Sequence, residues 1–311
     1  MSSVLPETMR AAVVDKAGPP ETIQVRTVTV PRLTRDHVII ALDYASAGSW
    51  DAQMRSGAWG DVKKDTILGA DGSGRIAAVA SDVHRLKVGD RVYSYSFQNP
   101  HGGFYAEYIS VPASRVELVP EQLDEKVAGA MPCVGITALA GLQALNLKSV
   151  SSLLVFGASG GVGSLTVWLA KNAFEAMVTA TARADAQEYV RKLGAAHVVD
   201  PHSSTLKGLP ELDAALITAG SDTLPKFLSH LRNGAPLAYP NGVEPEPRYE
   251  GHKTIAFDGA MTRTAFESFN HAIGTRTIPL HVTEFPFDRV VEAHRKLDEG
   301  HVVGKIVLRI R

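Results

Sequence analysis

From Leu153 the chain reads Leu-Leu-Val-Phe and then Gly157, Ala158, Ser159, Gly160, Gly161, Val162 and Gly163. Glycines at such a point permit a sharp turn and a close approach of backbone to ligand. A helix that begins there aims its unpaired N–H groups and partial positive charge beyond the turn, which suits a pyrophosphate. The spacing departs from the simple G-x-G-x-x-G fingerprint, so the reading rests on position. An apolar strand precedes the turn, a helix follows it, and strand-helix units continue for about 100 residues, as in a dinucleotide-binding fold. Taken alone, a glycine-rich turn is equally an ordinary strand-to-helix loop.

The end of the next strand, Thr179-Ala180-Thr181-Ala182-Arg183-Ala184-Asp185, bears on which dinucleotide binds. Enzymes that use NAD place an acid at the strand end to accept from the ribose hydroxyls. No acid ends this strand, and the planar fork of Arg183 suits a 2′-phosphate. The expectation is NADPH, with Asp185 close enough to reverse it if the turn is offset. Thr181, Thr218 and Ala219 at the ends of the second and fourth strands, and Asn241 after the fifth, are expected to line the cofactor site.

Two styles of sequence position these residues. From Met9 to about Pro120, short β-branched runs alternate with Gly and Pro: Arg10 to Val14, Thr22 to Val30, His37 to Tyr44, Gly74 to Val79, Arg91 to Ser96 and Ala106 to Val111. Val127 to Leu145 has helical composition. Strands are then expected at Leu153 to Phe156, Met177 to Thr181, His197 to Val199, Ala214 to Thr218 and Pro236 to Tyr239, with helices at Val162 to Ala173 and Ala186 to Leu193, the pattern of a doubly wound parallel sheet. After Pro279 come a helix from Phe287 to Glu299 and a strand from Lys305 to Ile310. The expected division is 1–127 as a β-rich domain, 128–278 as the nucleotide domain and 279–311 as a return to the first. Pro240 to Pro247 reads as a surface loop.

The 311 residues suit two domains. Lys plus Arg number 32 against 33 Asp plus Glu, with no long run of either sign, which argues against nucleic acid or an anionic membrane as partner. No apolar run approaches the roughly 20 residues needed to cross a bilayer. The start, Met1 to Glu7, lacks secretory or transit character, so a cytoplasmic protein is expected. Cys133 is the single cysteine, which rules out an intrachain disulfide and a four-thiolate zinc site.

Seven segments in order carry a resemblance across nearly the whole chain: Ala47 to Gly57, with Asp51 and Arg55-Ser56-Gly57; Leu68 to Gly74; Val88 to Val92; Gly102 to Tyr108; Pro132 through Thr137-Ala138; Gly157 to Gly163; and Gly300 to Val307, with Gly304-Lys305. The chain resembles the medium-chain dehydrogenase/reductase superfamily, in its zinc-independent quinone oxidoreductase branch. The resemblance implies an α/β fold, with a Rossmann sheet enclosed by a split GroES-like β-rich catalytic domain, a nicotinamide cleft between the domains, and a homodimer. Zinc-dependent relatives hold their metal with an early cysteine, a histidine-glutamate pair and a later cysteine. Here the pair reads Ala70-Asp71 and Tyr44 to Trp50 contains no thiol, so no catalytic zinc is expected.

Without a Lewis acid the suitable acceptors are conjugated, since a quinone or enone spreads the charge that follows hydride addition onto oxygen. The family's Asn-Pro-x-Asp is here Gly48-Ser49-Trp50-Asp51, so the amide is gone and Ser49 is the nearest candidate donor. Trp50 and Trp59, with Tyr44 and Tyr95, are candidates for the acceptor pocket, against the plain reading that aromatic residues pack cores. Thr137 matches a family threonine facing the nicotinamide, and Lys305 is a further cofactor-site candidate. Cys133 has no basic neighbour in sequence and reads as an inert thiol. Two rival functions remain at this point, an enoyl-thioester reductase and a non-catalytic nucleotide-binding relative.

Overall fold

The computed structural model describes residues 5–148, 150–204, 206 and 208–311. The chain forms two compact units: the first runs to Cys133 and adds Met261–Glu267 and Val282–Arg311, and the second comprises Val134–Ala260 and Ser268–His281.

The first unit is built on β-sheet. Thr8–Val14 pairs antiparallel with Gln24–Thr29 and with Thr66–Ile67. The larger sheet runs in the order Val282–Pro286, Lys305–Arg309, His37–Ala47, Asp71–Val79, Arg91–Tyr95 and Val116–Leu118. His37–Ala47 is long enough to serve several partners. Its first half pairs with Tyr108–Pro112, and its second half with Lys305–Arg309 in the register Ala47 opposite Ile306. Val38, Ile40, Leu42, Val92, Ile109, Ile306 and Leu308 form the buried core, β-branched and leucine side chains that fit a pleated surface.

One helix interrupts this unit where the sequence reading assigned none, Ser49–Ser56. Its start is set by Asp51, the third helical residue, whose Oδ2 accepts the Gly48 N–H at 2.8 Å. The single helix expected from Val127 to Leu145 is two, Glu125–Ala130 and Pro132–Leu145. Pro132 has no N–H to continue the first helix and instead opens the second. Asp124 caps the first by accepting the Val127 N–H at 2.7 Å.

The second unit carries a six-stranded parallel sheet in the order His197–Val199, Met177–Thr181, Ser152–Phe156, Ala214–Ile217, Leu237–Pro240 and Thr254–Phe257. The order reverses between Ser152–Phe156 and Ala214–Ile217, the switch point outside which such sheets bind ligands. The sequence pattern predicts neither the strand Thr254–Phe257 nor the helix Arg263–Ile273. The strand is too short, with polar flanks, to show an alternation. The helix does bury Phe266, Phe269 and Ile273, three and four residues apart, but Thr264, Ser268 and Asn270 dilute its propensity.

Candidate active site

At the glycine turn the backbone does the work. Gly157 has φ +83° and its N–H donates to Thr181 Oγ1 at 2.9 Å. Thr218 Oγ1 donates to the carbonyls of Phe156 and Gly157 at 2.9 and 3.0 Å. The helix Gly161–Asn172 follows, and a Cβ on Gly163 would stand 2.2 Å from the Gly157 oxygen. Only glycine lets helix and turn approach this closely. Gly160, the residue before the helix, supplies no side-chain cap, and a Cβ there would meet nothing nearer than the Gly157 oxygen at 3.8 Å. Ser159, Gly160, Gly161 and Val162 are partly exposed, while Ala158 and Gly163 are buried. Uncapped N–H groups beside open space fit a diphosphate.

The other residues expected to meet the cofactor divide into two kinds. Thr181 is 2% exposed and, like Thr218, spends its hydroxyl on the turn itself. These two shape the cradle from behind. Ala219 is exposed, and Asn241 Nδ2 donates to Asp258 Oδ2 at 2.7 Å. Arg183 is half-exposed, with Nη2 3.2 Å from Asp185 Oδ2, so the two residues that bear on cofactor choice are an ion pair. Thr137, buried in the helix Pro132–Leu145, lies where a Cβ on Gly259 would be 2.6 Å from its Oγ1, just beyond the last strand's carboxyl end.

In the first unit the candidate residues act through side chains. Trp50, Trp59 and Phe97 form an aromatic trio with ring centres 5.2–6.0 Å apart, and Trp59 is 46% exposed. Phe97, a lone aromatic in the loop after Arg91–Tyr95, carries no signal in the sequence. Ser49 is exposed on the neighbouring helix. Tyr95 is buried at 3%.

Behind these residues lies a buried charged cluster that the sequence did not disclose. Asp51, Arg55, Asp71 and Lys305 are each at most 8% exposed. Asp51 accepts from the backbone N–H groups of Gly48 (2.8 Å) and Gly69 (3.2 Å), and Asp71 from that of Cys133 (2.9 Å). Burial pushes Asp51 up to about 6, although the Gly48 N–H and the Lys305 charge pull the other way. Burial likewise raises Asp71, opposed by Lys305. The Cys133 thiol is pushed up to about 12 by burial and then by the Asp71 charge, which leaves it protonated and inert at neutral pH.

The ammonium of Lys305, a further cofactor-site candidate, donates to the Ala47 carbonyl at 3.3 Å. A second chain of contacts supports Asp51. Arg55 Nη2 pairs with both oxygens of Asp298 at 2.8 and 2.9 Å, and Nη1 meets His294 Nδ1 at 3.1 Å. A guanidinium can only donate, so Nδ1 accepts and His294 Nε2–H points to Tyr105 Oη at 3.2 Å. Tyr105 then donates to Asp51. His294 is driven down to about 3 by burial and then by the Arg55 charge, so it stays neutral in this role. Among the described residues no three of His, Cys, Asp or Glu converge on a point that could hold a metal ion, and Ala70 offers no ligand atom.

Residues 34–121 match the Alcohol dehydrogenase GroES-like domain, and residues 193–308 the Zinc-binding dehydrogenase domain. A Schizosaccharomyces pombe protein named "Probable quinone oxidoreductase" is 31% identical over 232 residues, 72% of this chain and 69% of that one. The chain belongs to the quinone oxidoreductases of the medium-chain dehydrogenase/reductase superfamily. Within that superfamily the NADPH-dependent alkenal/one oxidoreductase of Arabidopsis thaliana chloroplasts is 29% identical over 98% of this chain and 80% of its own. The quinone oxidoreductase of Coxiella burnetii superposes with a TM-score of 0.87 at 23% identity, covering 98% of this chain and all of the other, a likeness of fold. The expected α/β architecture with a parallel sheet and a GroES-like part is the family's. Among the described residues no helix is long and apolar enough to cross a membrane.

Proposed function

We propose that the protein is an NADPH-dependent, zinc-free reductase that passes hydride to a quinone or other conjugated carbonyl. The observation that carries this reading is the uncapped helix start at Gly160–Gly163, which leaves N–H groups and open space for a diphosphate. The dinucleotide supplies a hydride; the protein supplies its cradle and an acceptor site. The relatives named above act on alkenals, enones and quinones, which supports an acceptor of that class. Arg183 favours NADPH over NADH, since no acid ends the strand Met177–Thr181 and the planar fork of Arg183 suits a 2′-phosphate, which would have to draw it from Asp185.

Freedom from zinc is supported by donor chemistry. Ala70 stands where the family's zinc-dependent members need an imidazole, and Cys133, the single thiol, is held protonated by its surroundings. The trio of Trp50, Trp59 and Phe97 offers ring faces and edges to a flat apolar acceptor. Thr137 is the residue proposed to position the nicotinamide, and we read the active species as a cytoplasmic homodimer. The test is oxidation of NADPH, followed at 340 nm in parallel with NADH, across quinones, enones and enoyl thioesters. Turnover of quinones or enones with NADPH in the presence of a chelator is expected. A requirement for added zinc, or turnover of enoyl thioesters alone, overturns the reading.

A further inference from the structure

We propose that the ammonium of Lys305 is the catalytic group that receives the negative charge on the acceptor's oxygen, reached through the space that Gly48 leaves open. The inference rests on the reductase reading above and names the residue that would stand in for a metal. It is built from three observations within the first unit.

The first is an unspent cation. Lys305 is 8% exposed, yet among the described residues its ammonium makes a single hydrogen bond, the long one to Ala47, and no carboxylate oxygen lies within the 4.0 Å of a salt bridge. A buried charge with free donors is costly to a fold unless something completes its coordination. The second is that the neighbouring acids do not claim those donors. Asp51 is already held by Gly48, Gly69 and Tyr105, and Asp71 by Cys133, so both offset the lysine's charge at a distance. The third is Gly48. Its backbone is extended, with φ −138° and ψ 174°, a conformation open to any residue, so glycine is not demanded by the turn. A Cβ there would stand 3.3 Å from Lys305 Nζ and 3.8 Å from Asp51 Oδ2, the oxygen that already accepts the Gly48 N–H, and any longer side chain would cover the ammonium. The missing side chain is what leaves the lysine approachable.

The chemistry balances simply. As the conjugated acceptor gains a hydride at the carbon β to its carbonyl, the C=C π bond breaks and the electron pair is delocalised onto oxygen as an enolate; a quinone's adduct afterwards loses a C–H proton to water and gains one on its second oxygen to become the hydroquinone. Lys305 donates a hydrogen bond to that oxygen and then its proton: the N–H bond breaks, an O–H bond forms, and the amine recovers a proton from water. The acceptor is reduced by two electrons and the dinucleotide is oxidised by the same two. A preformed donor in a desolvated site stabilises developing charge far better than water does.

The test uses 4-nitrophenol, whose anion absorbs near 400 nm, as a probe of the oxyanion without any dinucleotide present. The full-length wild-type protein is expected to bind the phenolate in preference to the phenol, raising the absorbance at a fixed pH. Lys305→Met should weaken phenolate binding by about tenfold or more, and Lys305→Arg should restore part of it. Gly48→Ala keeps the lysine and should weaken binding severalfold, which guards against a Lys305→Met variant that folds poorly. In turnover the Lys305→Met loss should fall on kcat, while NADPH binding, followed by its fluorescence, stays at the wild-type level. Equal phenolate binding by the wild type, Lys305→Met and Gly48→Ala, or no phenolate preference in the wild type, overturns the proposal. Failure of the wild type to bind NADPH would instead overturn the reductase reading, and the phenolate arm would still decide the role of Lys305.

Discussion

The two units present candidate ligand-facing groups of opposite kinds. Around Gly157–Gly163 the groups that face a ligand are main-chain amides, and the nearby side chains, Thr181 and Thr218, serve by bracing the turn. Around Lys305 the groups are side chains gathered from distant parts of the chain, each fixed by others: Asp51 by Gly48, Gly69 and Tyr105, Tyr105 by His294, and His294 by Arg55. A main-chain site needs particular residues only where bulk would intrude. A side-chain site needs nearly every member, because a buried polar group that loses its partner costs about 1–3 kcal/mol, more when charged.

The sharpest way to break this contrast lies in the turn. Gly163→Val places atoms 2.2 Å or less from the Gly157 oxygen and should abolish NADPH binding, with a fall in stability of about 1–3 kcal/mol from overpacking. Gly160→Ala meets open space, so it should keep the melting temperature within a few degrees and weaken NADPH about tenfold by intruding on the diphosphate. Fluorescence titration and thermal melts separate the two; identical behaviour would mean that the turn acts through packing alone.

A second prediction probes the charged cluster by pH. Folded Asp51 keeps its proton up to about pH 6, whereas the unfolded carboxyl releases it near 3.8, so between these values the native state binds more protons. This contribution is a penalty fully present above pH 6 and relieved as pH falls toward 3.8. His294 runs the other way: held near 3 in the fold and 6.5 outside it, it gives stability that is fully present above 6.5 and lost as pH falls. The two slopes oppose each other between about pH 4 and 6. Asp51→Asn removes one of them, so urea unfolding of that variant should show stability dropping faster with acid than in the wild type, by up to about 3 kcal/mol across the window. Parallel slopes would show that Asp51 titrates normally.

Smaller effects sharpen the assignment of ligands. Arg183→Ala should weaken NADPH about tenfold and leave NADH unchanged, the size of one lost charge-assisted contact. A parallel loss for both nucleotides would remove the 2′-phosphate role. Trp59→Ala should raise KM for a fused-ring quinone by roughly threefold and spare a linear enone, because an exposed ring contributes stacking of about 1 kcal/mol or less.

The same contrast explains what could be read in the sequence. Glycine spacing between an apolar strand and a helix is local, so the turn and five of the six parallel strands were legible, while the short edge strand Thr254–Phe257 was not. Pro132 was visible too, but helical composition on both sides outweighed it. Asp51, Asp71 and Lys305 each sat in a recognisable segment, yet nothing local shows that a strand beginning at Lys305 lies against Ala47. His294, Arg55 and Tyr105 lie in separate segments of the sequence, and their order as donors and acceptors exists only in three dimensions.

The contact between Lys305 and Ala47 spans 258 positions of chain. Closing so long a loop costs about 5 kcal/mol in chain entropy before any partner rewards it, whereas the parallel sheet assembles from strand-helix neighbours. Refolding should then proceed in sequence, with nucleotide affinity recovered early and the cation pocket last. A protein caught midway would hold NADPH while having no means to discharge it.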